Sequence, residues 1–246
     1  MLRRIATGLL CGLTISVGLV GSVGAVTYLP VHPHLVWDYS GEGGAIWTIA
    51  VEGEETVAGR PTVSYLLDFD LGDGPTLARY FFTADPAGNL LFHGAEFVTA
   101  GQAIALDPPV IWMPAAPVAG ETTVSATFAY DNLAAAGEAV PMTFAAMVVE
   151  ETDLSVPRGT YHVFGLDLVL NDTTGERPDL LEPLVLVRAD ARDPFGGTDA
   201  ATVWHAANVG IVQMVHADRL FALTGWNGWA AVDATSWTQI KACYRR

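Results

Sequence analysis

The sequence predicts a mainly β protein: a single domain built on a strongly curved antiparallel sheet of about eleven strands, either an open half-barrel or barrel-like, with few or no helices. Three observations predict this. Apolar side chains recur at every second position along most of the chain. Clusters of Gly, Pro, Asn and Asp punctuate those runs at short intervals. No window carries a helical period of useful length; the best stretch, NLAAAGEAV from Asn132, is broken by Gly137 and ended by Pro141.

The clearest strand is PTVSYLLDFD, residues 61–70, where Val63, Tyr65, Leu67 and Phe69 share one face. Thr62, Ser64, Asp68 and Asp70 fall on the other, the pattern of a half-buried strand. The same reading holds over 45–53, 77–83, 89–98, 122–130, 142–154, 160–170, 180–189, 201–207, 210–216 and 219–226. Gly59-Arg60-Pro61, Asp85-Pro86-Ala87-Gly88-Asn89, Pro157-Arg158-Gly159 and Asn171-Asp172 supply turns between them. The segment 189–200 is the longest irregular stretch.

Residues 68–74, DFDLGDG, place Asp68, Asp70 and Asp73 around two glycines and raise the question of calcium. A helix–loop–helix calcium loop needs oxygen ligands at positions 1, 3, 5 and 12 and Gly at 6. Counted from Asp68, those later places hold Gly72, Arg79 and Asp73, so a hairpin turn is the better reading.

The first 25 residues read as a secretory signal. Arg3 and Arg4 lead an apolar run, and Val23-Gly24-Ala25 ends it with the small residues a signal peptidase requires. Cys11 follows Leu10 rather than a small residue and reads as part of that signal, not as a lipid-attachment site. The expected organisation is therefore a signal over 1–25 and one β domain over 26–246, with a core region over 45–216 and an extension over 217–246. Export into the periplasm or outside a bacterial cell follows as the expected localisation, with membrane contact only through the signal before cleavage.

Removal of Arg3 and Arg4 leaves ten basic residues against 27 acidic ones, a net charge of −17. Such a surface repels phosphate backbones, so nucleic acid is not an expected partner. The remaining cysteine, Cys243, has no internal disulfide partner, so the fold must rest on its core and its backbone ladders.

Chemical signatures are sparse. The nucleophile elbow, the phosphate loop, the zinc motif HExxH and paired-cysteine metal sites do not occur. His32-Pro33-His34 places two imidazoles on one face of an extended segment, a two-ligand arrangement too small to hold a metal tightly. His93, His162, His205 and His216 fall in strand patterns and read as sheet histidines. Glu150, Glu151 and Asp153 cluster at a strand end; a glycosidase would need two carboxylates facing each other across a cleft. The seven tryptophans fill a concave sheet face or line a cavity for an apolar or sugar ligand. Asn171-Asp172-Thr173 is a formal glycosylation sequon. No catalytic, cofactor or metal residues are assigned, and no cofactor is expected.

Several landmarks recur in order: a tryptophan strand ending in Val57-Ala58-Gly59, PPVIWMPAAPVAGET from Pro108, DLSVPRGTYHV from Asp153, and VWHAANVGIVQMV from Val203. In that order they resemble a widespread bacterial envelope domain of unknown function, itself similar to the open half-barrel of lipoprotein carriers. Two places depart from the type: Trp204-His205-Ala206-Ala207-Asn208 before Gly210, and Thr122-Thr123-Val124 where a tryptophan is usual. The resemblance implies a hollow for an apolar ligand and brings no catalytic residues. The expected function is a non-catalytic envelope protein that binds an apolar ligand or docks an envelope protein through its curved sheet. The alternatives are a rigid structural or assembly component with a filled core and, less favoured, a carbohydrate-active β-sandwich enzyme.

Overall fold

The computed structural model describes residues 27–70, 75–99, 101–131, 139–172, 199–216 and 219–228. The strand read over 180–189, the stretch from Asn132, the turn residues 71–74, the signal over 1–25 and Cys243 lie outside the described residues.

Among the described residues, twelve antiparallel strands make one closed barrel. They are β1 (Val36–Gly41), β2 (Ile46–Val57), β3 (Arg60–Asp70), β4 (Pro75–Ala84), β5 (Leu90–Phe97) and β6 (Gln102–Met113), then β7 (Thr122–Asp131), β8 (Ala139–Val156), β9 (Gly159–Asp172), β10 (Asp199–Ala206), β11 (Gly210–His216) and β12 (Arg219–Trp226). Each strand pairs with its neighbour in sequence, and β12 pairs with β1 to close the ring. Of the open and closed forms left possible by the sequence, the sheet takes the closed one. Closure removes both edges, and with them the unpaired backbone groups that a half-barrel exposes.

Turn chemistry works where the sequence places it. Val57 pairs with Arg60 around Ala58 and Gly59, both at positive φ (48° and 77°), the conformation that suits the twist of a two-residue hairpin. In the Asp85–Asn89 turn, the Asp85 carboxylate accepts from the Asn89 backbone N–H at 2.8 Å, and Gly88 takes φ 92°.

Two strands were not foreseen. β1 is only six residues long and shows a single alternation, Trp37 and Tyr39 inward and Asp38 outward. β6 carries Pro108-Pro109, residues that disfavour a strand interior. Its register with β5 jumps from Ala105 opposite Gly94 to Val110 opposite Phe92, so the two prolines sit in a bulge where no ladder donor is needed.

The interior is apolar and aromatic. Trp112 meets Phe82 at 5.3 Å and Phe92 at 5.6 Å between ring centroids and stacks on Phe144 at 6.2 Å. Trp47 meets Phe221 edge-on at 5.5 Å, tying β2 to the closing strand β12. A second, smaller cluster of Val57, Phe81 and Ala105 is separate from this core. It forms where the β2–β3 hairpin end lies over β4–β6, with Arg60 bound to Asp107 of β6 at 2.7 Å. Outward positions carry Asp38, Thr48, Glu52, Asp68 and Glu96, and Arg79 sits between Glu52 at 2.7 Å and Glu96 at 2.8 Å. Those two carboxylates raise the Arg79 pKa. Among the described residues, no helix is long and apolar enough to cross a membrane.

Candidate functional site: the strap-sealed end of the barrel

Residues 27–35 precede β1 and run across one end of the barrel as a strap. Tyr28 and Leu29 are buried, and backbone groups along the strap are answered by the barrel wall. Asn208 N–H donates to the Thr27 carbonyl at 2.7 Å, and the Tyr65 hydroxyl donates to the Pro30 carbonyl at 3.1 Å. His34 N–H donates to the Val51 carbonyl at 3.1 Å. Gly210 lies beside the strap at φ 100°, a conformation that favours glycine; a Cβ there would make ordinary contact with Leu29 and Pro30 at 3.5 Å. Trp37 packs beside the same turn, and its indole Nε1–H donates to the Val209 carbonyl at 2.7 Å.

Beneath the strap lies His205, fully buried. Its Nδ1–H donates to the Tyr28 carbonyl at 3.0 Å, and its Nε2 accepts from Trp112 Nε1–H at 3.2 Å. Both ring nitrogens are satisfied only in the neutral form, because an imidazolium would aim a second donor at the Trp112 N–H. Burial lowers the His205 pKa to about 4, with the Tyr28 carbonyl opposing the shift.

The barrel interior keeps a small apolar hollow of about 40 Å³, lined by residues that include Leu29 of the strap, Trp47, Tyr65, Tyr80 and Trp112. That is room for about three water molecules and far short of an acyl chain. The Tyr80 hydroxyl is buried and has no hydrogen-bond partner. Burial raises the pKa of Tyr80 well above the ordinary phenol value.

Outside the strap, an open cleft of about 540 Å³ lies between the strap and the end of β12. His32, His34, Asn208, Trp226 and Asn227 line it, together with Thr27, Pro30, Pro33 and Leu35. The two histidines that the sequence paired as possible ligands thus face one cleft. No third metal-ligating residue joins them among the described residues. Asn208 and Trp226 lay hidden from sequence reasoning because β12 and the β10–β11 turn reach the strap only through closure.

The β8–β9 hairpin extends beyond the wall and returns over the barrel, where Arg158 N–H donates to the Leu223 carbonyl of β12 at 3.1 Å. A register shift between Val148 and Glu150 marks the bend. The acidic cluster read from the sequence sits here and divides between two faces. Glu150 accepts from the Trp204 indole on one. On the other, His162 lies between Asp153 at 3.0 Å and Glu151 at 3.1 Å. Hydrogen bonding to Asp153 first and Glu151 second raises the His162 pKa. All three side chains are about half exposed or more, on one hairpin rather than across a cleft. On the opposite wall His93 bonds the Thr83 hydroxyl at 2.7 Å; burial, aided by the Arg60 charge, lowers its pKa to about 4.

Neither a protein family nor a curated protein matches the sequence. Among solved structures the chain is similar to a candidate lipoprotein from Parabacteroides distasonis, with 12% identity, 83% of this chain and 100% of that one covered, and a TM-score of 0.42. It is also similar to a candidate exported protein with a YmcC-like fold from Bacteroides fragilis, with 13% identity, 82% and 100% covered, and a TM-score of 0.43. Both likenesses are too distant to carry a residue role or an activity to this chain.

Proposed function

We propose that this protein is an exported, non-catalytic bacterial envelope component that works as a rigid scaffold: a closed barrel with a filled interior. The observation that carries the reading is the packing of the barrel. Trp37, Trp47, Trp112, Phe82 of β4, Phe92 and Phe97 of β5, Phe144 of β8 and Phe221 of β12 occupy the space that a carrier would leave open, and the voids left among the described residues are small, about 40 Å³ and about 10 Å³. Export rests on the amino-terminal sequence. The polarity of the barrel fits a watery compartment, since membrane-spanning barrels carry an apolar band outside and polar groups within. Here the interior is apolar and the wall carries acids and Arg79, with Ile46 on β2, Val124 and Phe128 on β7, Val149 on β8 and Leu220 on β12 as exposed exceptions among the described residues.

Native mass spectrometry of the protein purified from an envelope fraction tests the scaffold reading. A scaffold gives the mass of the bare polypeptide. A stoichiometric lipid adduct would end this reading and restore the carrier.

One observation favours apolar-ligand binding as a second reading. Leu29, which walls the hollow, belongs to the strap rather than the barrel, and the unpartnered Tyr80 hydroxyl would donate to a ligand oxygen. Displacement of the strap would enlarge the space. In that case a strap-truncated protein takes up lipid and the intact protein retains it on purification.

A further inference from the structure

The cleft between the strap and β12 has the size of a small-molecule site, about 540 Å³, whereas the interior does not. Its lining holds unspent hydrogen-bonding groups. The imidazoles of His32 and His34 make no side-chain hydrogen bond among the described residues, and both residues are exposed. Asn208 uses its Oδ1 on Thr27 N–H at 3.3 Å, and its amide Nδ2 has no partner among the described residues. Trp226 contributes a partly exposed indole beside them.

Left-handed backbone conformations gather at the same place. Three described residues other than glycine take positive φ, and two of them, His34 at 70° and Asn208 at 61°, line this cleft. Each is held there by surrounding bonds: Asn227 Nδ2–H donates to the His34 carbonyl at 3.0 Å, and Asn208 N–H is fixed on Thr27. His34 and Asn208 sit in turns, as the third, Ala58, does, and Asn adopts this conformation readily.

The chemistry of the lining selects a ligand class. In a chain with 27 acidic residues, none of the nine described lining residues is an acid, and none is Lys or Arg. A charged ligand would find no countercharge among these described residues. Imidazole and carboxamide groups both donate and accept, which suits hydroxyl groups that do the same. The indole face and the rings of Pro30 and Pro33 supply flat apolar surface for a ring's C–H face. We infer that the cleft formed by His32, His34, Asn208 and Trp226 binds a neutral saccharide, either a free oligosaccharide or a unit of an envelope polysaccharide.

Saturation-transfer NMR with maltose and cellobiose on the full exported chain tests the free-sugar source. Co-sedimentation with purified peptidoglycan tests the polymer. Binding in either arm is expected, weakened about tenfold by Trp226→Ala and about fivefold by His32→Ala. His32 is exposed and bonds to nothing through its side chain, so its variant keeps the fold even where Trp226→Ala loosens β12. A Trp204→Phe variant should bind as the unmodified protein does, because Trp204 is absent from the cleft's lining and its indole donates to Glu150 of β8. No binding in either arm, or binding that His32→Ala and Trp226→Ala both leave unchanged, overturns the assignment.

Discussion

Two buried tyrosines, Tyr65 and Tyr80, differ by one hydrogen bond. Tyr65 donates to the Pro30 carbonyl of the strap, whereas the Tyr80 hydroxyl has no partner. Removing the Tyr65 hydroxyl leaves a buried carbonyl unanswered, so Tyr65→Phe costs about 1–2 kcal/mol. Removing the Tyr80 hydroxyl relieves an unmet desolvation cost, so Tyr80→Phe is neutral or stabilising by up to about 1 kcal/mol. Urea melts of the two variants check the pair. His205 adds a pH dependence. Its folded pKa is lowered to about 4, so below its unfolded value near 6.5 the unfolded chain binds a proton that the folded protein refuses. Stability from this group is therefore lost as the pH falls from about 6.5 to 4, by ~3 kcal/mol in all. Gln can supply one donor and one acceptor without titrating, so His205→Gln should flatten the acid limb of stability against pH by that amount. His93 and the carboxylates titrate in both proteins and drop out of the difference. Equal acid limbs would mean that His205 is charged or solvated.

At the scale of elements, ten of the twelve strands lie within a few residues of where alternation placed them. Period two is legible wherever one face is buried, as in β3, where Tyr65, Leu67 and Phe69 point inward. β6 was hidden because its prolines mimic a loop signal and only the bulge opposite β5 reconciles them with a strand. β1 was hidden by its brevity and by the His-Pro-His segment before it. The corners were legible as glycines but not as contacts. Gly94, at φ 135°, lets β5 and β6 close so tightly that a Cβ would sit 2.0 Å from the Ile104 carbonyl oxygen. Gly94→Ala should therefore cost more than about 3 kcal/mol, because the obstacle is backbone and cannot rotate away. Gly101, at φ 68° with nothing within 4 Å, provides the control; Gly101→Ala should cost about 1 kcal/mol. Thermal melts of the two variants compare the corner with the open turn.

Over the whole molecule, closure organises everything else. It brings β12 to β1, sets Trp226 and Asn227 beside the strap, and lets the β8–β9 hairpin reach Leu223. The first two relations join residues almost two hundred positions apart, and no local pattern announces them; Asn227 accepts from Val36 N–H across 191 positions. For that reason the candidate cleft was legible only as His32-Pro33-His34, while its other wall emerged from topology. The same closure separates a scaffold from an open carrier, because a half-barrel would leave β1 and β12 as edges.

Native-state hydrogen exchange along the β1–β12 seam tests closure most directly. A continuous ring predicts that the ladder amides pairing Tyr39 with Leu223 and Gly41 with Phe221 exchange only through global unfolding, with the same denaturant dependence as the β2–β3 ladder. Seam amides that exchange far faster than those of β2–β3, with little sensitivity to urea, would show an open sheet and contradict the closed, filled barrel.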